Sequence, residues 1–223
     1  MRVRSVRGAI ALAVIALLAA CASPPPDPAA ILGRAADDLV AAKSLRFSLT
    51  REGPPSPLDP VTGATFSQAT GEYSAPDRVH AKLKVLIGGL LLAIDALWLA
   101  EGVFVTDPIT GRYRKLPAGA AFDAPALFQR DGAAATLRGL RNASLVGTET
   151  GDGTDALHIR GTADGAQLRA LSGGVLVEGT HTVDVWVEKE RSRLLRVNDQ
   201  EPGGGLWKLE LSGFGEPVEI GRP

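Results

Sequence analysis

The sequence predicts an α+β fold in which one large antiparallel sheet is accompanied by a few helices. Apolar and polar residues alternate with a period of two over much of the chain, which is typical of half-buried strands. Only three segments show the spacing of three and four residues that a helix requires. The 26 glycines and 15 prolines favour many turns. We therefore expect roughly ten strands, a width at which a twisted sheet tends to curl.

The first predicted element after the N-terminal segment is an amphipathic helix over residues 28–42. Asp27 can cap it, and Pro28 is tolerated in a first helical turn. Its apolar positions fall on one face and are Ile31, Leu32, Ala35, Leu39 and Ala42. A broken helix over residues 123–139 and a short one over residues 165–171 complete the helical content.

The strands begin where the period of three and four ends. Leu45, Phe47 and Leu49 alternate with polar residues, and a clear half-buried strand follows over residues 79–85. Gly88 and Gly89 then allow a tight hairpin turn. The last third reads as a meander of three strands, whose inward positions are Val183, Val185, Val187, Leu195, Val197, Trp207, Leu209 and Leu211.

Residues 90–99 form the most apolar run after the N-terminal segment. Asp95 in its middle and the two glycines before it argue against a transmembrane helix, so we interpret the run as a strand. Leu92, Ile94 and Trp98 would lie on one face of that strand. Asp95 would lie on the other, either facing solvent or binding a ligand head group.

The N-terminus has the pattern of a lipoprotein signal peptide. Three arginines precede an apolar stretch of about ten residues, which is too short to span a bilayer. The stretch is followed by Ala19, Ala20 and Cys21, the only cysteine in the chain. We predict that residues 1–20 are removed, that Cys21 is lipidated, that residues 21–27 form a tether and that residues 28–223 form the domain. An ordinary secreted protein with a chance cysteine is the alternative.

Composition narrows the class of protein further. Residues 1–20 hold three arginines and no acidic residue, so the remaining chain has 21 basic and 25 acidic residues, a net charge of −4. This mildly acidic chain has no basic footprint for nucleic acid. With Cys21 lipidated, no thiol remains for a disulfide or a metal site. The expected location is the extracytoplasmic face of a cell membrane.

Catalytic motifs are missing from the sequence. It has no nucleophile elbow and no phosphate-binding glycine loop. The histidines, His80, His158 and His181, are far apart and occupy polar strand positions, so we expect them to be solvated. His181 and Asp184 should point to opposite faces of a strand. We predict a protein that is not an enzyme and that needs no metal and no cofactor.

The helices are too few to cover so large a sheet, and this shortage predicts a hydrophobic cavity. They total about 35 residues, whereas the apolar face of a sheet must be covered. The strand positions that we expect to line the cavity and to bind lipid are Phe47, Leu49, Leu83, Val85, Leu92, Ile94, Trp98, Val183, Val185 and Leu209. The alternative is a filled core in which the same residues pack against protein.

Several segments, in order, resemble those of the LppX/LprG lipoproteins of bacterial cell envelopes. They are the helix leading into Lys43 to Phe47, Thr70-Gly71-Glu72-Tyr73, the turn over residues 107–113, the strand Asp184-Val185-Trp186-Val187-Glu188 and the ending over residues 214–223. The resemblance implies a half-barrel sheet wrapped around helices, akin to the LolA/LolB carriers. It also implies a cavity for the acyl chains of lipids or lipoglycans.

The function that this resemblance implies is that of a membrane-anchored carrier, which holds acylated lipids or lipoglycans and helps move them across the cell envelope. An envelope transporter is a candidate partner. Two alternatives stay open. One is a structural or regulatory lipoprotein that binds a protein partner through the loop over residues 53–60 or through the apolar hairpin at residues 90–99. The other is a LolA-like chaperone for lipoproteins.

Overall fold

The computed structural model describes residues 26–59, 63–119, 122–151 and 153–223. The predicted signal peptide, Cys21 and most of the tether lie outside these residues, so their assignments stay predictions. None of the described helices is long and apolar enough to cross a membrane.

The fold is an α+β arrangement of twelve strands and three α-helices within the described residues. The helices are α1 (Pro28–Ala41), α2 (Ala133–Arg138) and α3 (Gly165–Leu171), with a 3₁₀ helix at Pro125–Phe128. The strands are β1 (Ser44–Glu52), β2 (Ser56–Asp59), β3 (Ala64–Ser74), β4 (Arg78–Ile87), β5 (Leu90–Leu99), β6 (Gly102–Thr106), β7 (Tyr113–Lys115), β8 (Arg141–Gly151), β9 (Thr154–Asp164), β10 (Thr180–Glu188), β11 (Leu194–Gln200) and β12 (Leu206–Ser212).

All strands join one antiparallel sheet, as predicted. Its order is β7-β6-β5-β4-β3-β1-β12-β11-β10-β9-β8, with β2 paired to β3. Strands β3 to β7 form one meander and strands β8 to β12 form a second. The two meet where β1 pairs with β12, so that Leu49 lies opposite Leu209. The sheet therefore has two halves, which we call the first half (β3–β7) and the second half (β8–β12).

The helices lie on one face of the sheet, which we call the inner face. The Asp27 carboxylate accepts a hydrogen bond from the Ala29 N–H at 3.1 Å and caps α1, as predicted. The buried stripe of α1 is Ile31, Leu32, Ala35, Ala36 and Leu39. It packs against α2 and against β8, β10 and β11. The cover that α1 provides thus belongs to the second half.

Two details of the fold differ from the sequence prediction. The broken helix expected over residues 123–139 is the 3₁₀ helix plus α2, because Gly132 interrupts it in a tight turn. A Cβ at Gly132 would lie 2.2 Å from the Ala126 carbonyl oxygen. The other difference is the short strands β2 and β7, which periodicity is too weak to mark over three or four residues.

Candidate functional site

The inner face of the second half is a closed core. Five of its large aliphatic side chains are at most 4% exposed, and they are Ile159, Val183, Val185, Val187 and Leu194. They belong to the same buried cluster as the apolar stripe of α1. Leu145, Leu157 and Val197 of the same face are half-buried and pack against this cluster.

The inner face of the first half is different, because most of its large apolar side chains stay half-buried. They lie on neighbouring strands in register, with Leu83 opposite Ile94 and Leu92 opposite the buried Val85. Val103 and Val105 of β6 extend the same row, since Val105 lies opposite Ala96. We call this surface the trough and define it by Leu83, Val85, Leu92, Ile94, Val103 and Val105.

Small residues shape the sheet beside the trough. Ala69, Ala81 and Ala96 are buried between its larger side chains. A Cβ at Gly71 would lie 2.6 Å from Cζ of Phe47 and 2.2 Å from the carbonyl oxygen of His80. Only glycine lets the Phe47 ring lie across β3 at this point. The Thr70-Gly71-Glu72-Tyr73 segment thus has a packing role at the boundary between the two halves.

Aromatic residues close one end of the trough. Phe128 of the 3₁₀ helix stacks on Tyr73 with ring centroids 4.5 Å apart and contacts Phe47 at 5.9 Å. The Trp98 Nε1–H donates to the Phe122 carbonyl oxygen at 2.7 Å, which ties the segment before the 3₁₀ helix to β5. The trough therefore ends against a packed wall near Trp98 and runs from there towards the β4–β5 turn.

A buried polar cluster lies on the inner face where the two halves meet. Arg51 and Glu201 form an ion pair at 2.5 Å, with side chains 6% and 2% exposed. The Trp207 Nε1–H donates to Glu201 Oε1 at 3.0 Å, and Arg51 lies over the Trp207 ring. The pair closes the turn between β11 and β12 onto β1. Its charges satisfy each other and are a structural connection between strands.

His181 and Asp199 form a second buried pair beside this cluster. His181 Nδ1 lies 2.8 Å from Asp199 Oδ1, and Nε2 lies 2.9 Å from the Val177 carbonyl oxygen. Both ring nitrogens face acceptors, so both are used as donors only when the ring is an imidazolium. Burial raises the pKa of Asp199 above its ordinary value, and the His181 charge opposes that rise. The pair holds the segment after α3 against β10.

The ten residues predicted from sequence to line a cavity all lie on the inner face, but in different surroundings. Leu83, Val85, Leu92 and Ile94 form the trough together. Leu49 and Leu209 are half-buried at the boundary, and Phe47 and Trp98 form the closed end. Val183 and Val185 are in the closed core of the second half. We leave these two out of the candidate site.

Sequence reasoning missed two trough residues and misplaced two histidines. Val103 and Val105 alternate with Phe104, a signal that the short length of β6 obscured. His158 and His181 are buried, contrary to the expectation that they are solvated, because each is paired with an aspartate. Asp95 lies on the outer face, 3.3 Å from His80 Nε2 and away from the trough.

Metal sites and surface pockets are the other kinds of site that the described part of the chain could offer. No group of three His, Cys, Asp or Glu side chains there is arranged to hold a metal ion. Two surface depressions, of ≈ 80 Å³ beside Arg78 and Ile220 and ≈ 380 Å³ against α3, lie away from the trough. The enclosed cavity expected from the sequence stays a prediction, and the trough is an open apolar surface of the described residues.

The fold and the trough define a class of protein: an open antiparallel sheet with few helices and a partly uncovered apolar inner face. A profile described as "LppX_LprAFG lipoprotein" matches residues 27–220. The chain belongs to this lipoprotein family.

Named relatives and solved structures agree with that assignment. The lipoarabinomannan carrier protein LprG of Mycolicibacterium smegmatis is 24% identical over 229 residues, covering 96% of this chain and 94% of its own. The crystal structure of LprF from Mycobacterium bovis has a TM-score of 0.73 at 18% identity, covering 90% of this chain and 99% of LprF. The Mycobacterium tuberculosis lipoprotein LppX gives 0.65 at 21%, covering 88% and 100%. These structures share the fold of this chain.

Proposed function

We propose that this chain is a lipid carrier whose trough binds the acyl chains of a lipid or lipoglycan. One observation carries the proposal: most large aliphatic side chains on the inner face of β4–β6 are half-buried, whereas most of those on the same face of β9 and β10 are fully buried. Apolar surface left open to water costs free energy that an acyl chain would recover at about 0.8 kcal/mol per buried methylene. The relative named as a lipoarabinomannan carrier supports a lipoglycan ligand.

The proposal also covers where the protein is located and how its bound lipid moves. Cys21 would carry the lipid anchor and hold the domain on the extracytoplasmic face of the membrane, and the bound lipid would be handed onward across the envelope. A Cys21→Ala variant should then move from the membrane fraction to the soluble fraction of cells and lose labelling by a radioactive fatty acid. Unchanged labelling of this variant would remove the anchor from the proposal.

The trough is tested by native mass spectrometry on residues 22–223 purified from bacterial membranes. We expect an added mass that fragments as an acylated lipid. Ile94→Gln should reduce the occupied fraction, because it places an amide in the trough. Ala93→Gln is the matched control, since Ala93 is the next residue along β5 and is exposed on the outer face.

The same measurement separates the competing functions. An unliganded mass for the parent protein, with a cooperative melting transition, would overturn the carrier proposal in favour of a lipoprotein that binds a protein partner. A bound species that fragments into an acylated peptide would instead favour a lipoprotein chaperone. Equal loss of lipid in Ile94→Gln and Ala93→Gln would remove the trough as the site.

A further inference from the structure

An exposed apolar hairpin lies at the open end of the trough. The β4–β5 turn brings together Leu86, Leu90 and Leu91, which are 40%, 67% and 59% exposed. Leu86 lies opposite Leu91 on the outer face and Ile87 lies opposite Leu90 on the inner face, so apolar side chains cover both faces of this end of the hairpin. We call residues 86–91 the leucine tip. Adjacent exposed leucines in a folded protein mark an interaction site or a site of aggregation.

The leucine tip continues the trough. Val85 and Leu92, the last trough residues of β4 and β5, lie opposite each other, and the next pair on the same inner face is Ile87 with Leu90. Apolar side chains therefore follow one another from the Trp98 wall to the turn. The turn itself consists of Gly88 and Gly89, both at positive φ and with open space where a Cβ would be. A narrow turn without side chains lets the leucines form the outermost part of this edge.

Basic residues accompany the tip on the same strand. Between Asp77 and Asp95 the chain has no acidic residue, but it carries Arg78, Lys82 and Lys84. Lys82 and Lys84 are exposed on the outer face and form no ion pair with any residue that the structure describes. This local charge contrasts with the net charge of −1 for the whole chain. The combination of apolar end and nearby free lysines complements an anionic lipid surface.

The spacing of leucines and lysines matches the layers of a membrane surface. Strand residues rise about 3.4 Å each, so Lys84 lies about 7 Å and Lys82 about 14 Å behind Leu86 along β4. Interfacial segments bury their apolar side about 5–10 Å deep, at the boundary of head groups and acyl chains. With the leucines at that depth, Lys84 would lie among the phosphates.

We propose that the leucine tip inserts into the surface of a lipid bilayer and brings the open end of the trough to the acyl chains. The occupant of this surface is a membrane containing anionic phospholipid. The tip can bind a bilayer whether or not the trough holds a ligand, so this proposal and the carrier proposal can fail separately. A weak contact is sufficient, because stable membrane attachment takes two signals and the proposed Cys21 anchor would be the other.

The first test measures insertion directly. Residues 22–223 contain no cysteine, so Leu90→Cys can be labelled with a single environment-sensitive NBD fluorophore. Vesicles of phosphatidylcholine and phosphatidylglycerol should shift its emission to the blue and raise its intensity, and lipids with a quencher on the acyl chain should reduce it. The matched control is Val146→Cys, which is 52% exposed on β8, the strand at the opposite edge of the sheet. No shift at residue 90, or equal shifts at 90 and 146, would overturn the proposal.

The second test measures affinity by vesicle flotation of unlabelled protein. Leu90→Gln with Leu91→Gln should weaken binding about tenfold or more, because two exposed leucines leave the bilayer. Val146→Gln removes an exposed apolar side chain at the opposite edge of the sheet and should leave binding unchanged. Lys82→Gln with Lys84→Gln should weaken binding only to vesicles that contain phosphatidylglycerol, by about fivefold per lysine.

Other occupants of the tip give opposite results. A tip that joins two copies of this chain would make the protein a dimer in light scattering, with the Leu90→Gln and Leu91→Gln variant a monomer and vesicle binding equal for both. That pattern would overturn the membrane proposal, as would binding that is unaffected by the leucine substitutions. Leu90, Leu91 and Val146 are each at least half-exposed, so the variants should fold, which circular dichroism verifies.

Discussion

The two halves of the sheet have similar strands and differently covered inner surfaces. The second half is covered by α1, and most large aliphatic side chains on the inner face of β9 and β10 are excluded from water. The first half has no helix as long as α1 packed on its inner face among the described residues, and most of the trough side chains there are half-buried. The difference shows that strand periodicity alone does not distinguish a core from a binding surface. What distinguishes them is the element that packs on top.

The largest expected effect comes from the connection between the halves. Glu201→Gln removes the charge that pairs with Arg51 and leaves a guanidinium that is only 6% exposed without its counter-ion. We expect the free energy of unfolding to fall by about 3–5 kcal/mol, as for other buried pairs with one partner removed. Urea unfolding measures this. The exposed pair of Lys208 with Glu52 is the control, and Glu52→Gln should cost less than about 1 kcal/mol.

The second prediction compares the same substitution in each half. Ile159→Ala, in the closed core, should cost about 2–5 kcal/mol of unfolding free energy. Ile94→Ala, in the half-buried trough, should cost about half as much or less, because water already reaches its side chain. Denaturation by urea in the absence of lipid gives both values. Equal costs would mean that the trough is packed like the core and that the contrast between the halves is wrong.

A third prediction compares two tryptophans. Trp98 of the first half donates to the Phe122 carbonyl oxygen, so Trp98→Phe removes a hydrogen bond and should cost about 1–3 kcal/mol. Trp186 of the second half lies on the outer face between His158 and Arg196, and its Nε1 has no partner among the described residues. Trp186→Phe keeps the stack and should cost about 1 kcal/mol or less. Thermal unfolding of the two variants should rank them in this order.

The smallest expected effect is a pair of opposite pKa shifts. Burial raises the pKa of Asp199 in the second half above 3.8, its ordinary value. In the exposed loop of the first half, the N–H groups of Thr110 and Ile109 and the Thr110 hydroxyl lower the pKa of Asp107 below 3.8. Carboxyl ¹³C NMR titration of the folded protein should place the two groups on opposite sides of that value.

The two pKa shifts change the pH dependence of the free energy of unfolding in opposite directions. The raised pKa of Asp199 gives stability that is present below about pH 3.8 and is lost as pH rises through its folded pKa. The lowered pKa of Asp107 gives stability that is present above about pH 3.8 and is lost as pH falls through its folded pKa. Asp199→Asn and Asp107→Asn should therefore change the slope of unfolding free energy against pH in opposite directions. Slopes changed in the same direction would contradict the assignment.

Much of the fold could be predicted because it depends on local patterns. The Asp27 cap, the stripe of α1 and the alternation of Leu45, Phe47 and Leu49 each follow from residues within one element. The β4–β5 hairpin likewise follows from two glycines between alternating strands. Such features need no knowledge of distant parts of the chain, because capping, periodicity and turn geometry act over a few residues.

The site could be predicted only in part, because burial is decided by distant contacts. Val185 and Ile94 have the same kind of pattern in their strands, yet one is fully buried and the other half-buried. His181 occupies a strand position that sequence reasoning assigned to solvent, but Asp199 and the Val177 carbonyl group surround it. No spacing in the sequence indicates that these residues meet.

By itself the sequence determined the class of fold, the position of most strands, the amphipathic first helix and the resemblance to the lipoprotein family to which the chain belongs. The tertiary structure alone decided which half of the inner face is covered, which leucines are exposed at the β4–β5 turn and which charges are buried together. The physical reason is the distance along the chain over which each kind of interaction acts. Hydrogen bonding within a turn or helix involves neighbours in the chain, whereas exclusion of water depends on every element that packs on the same surface.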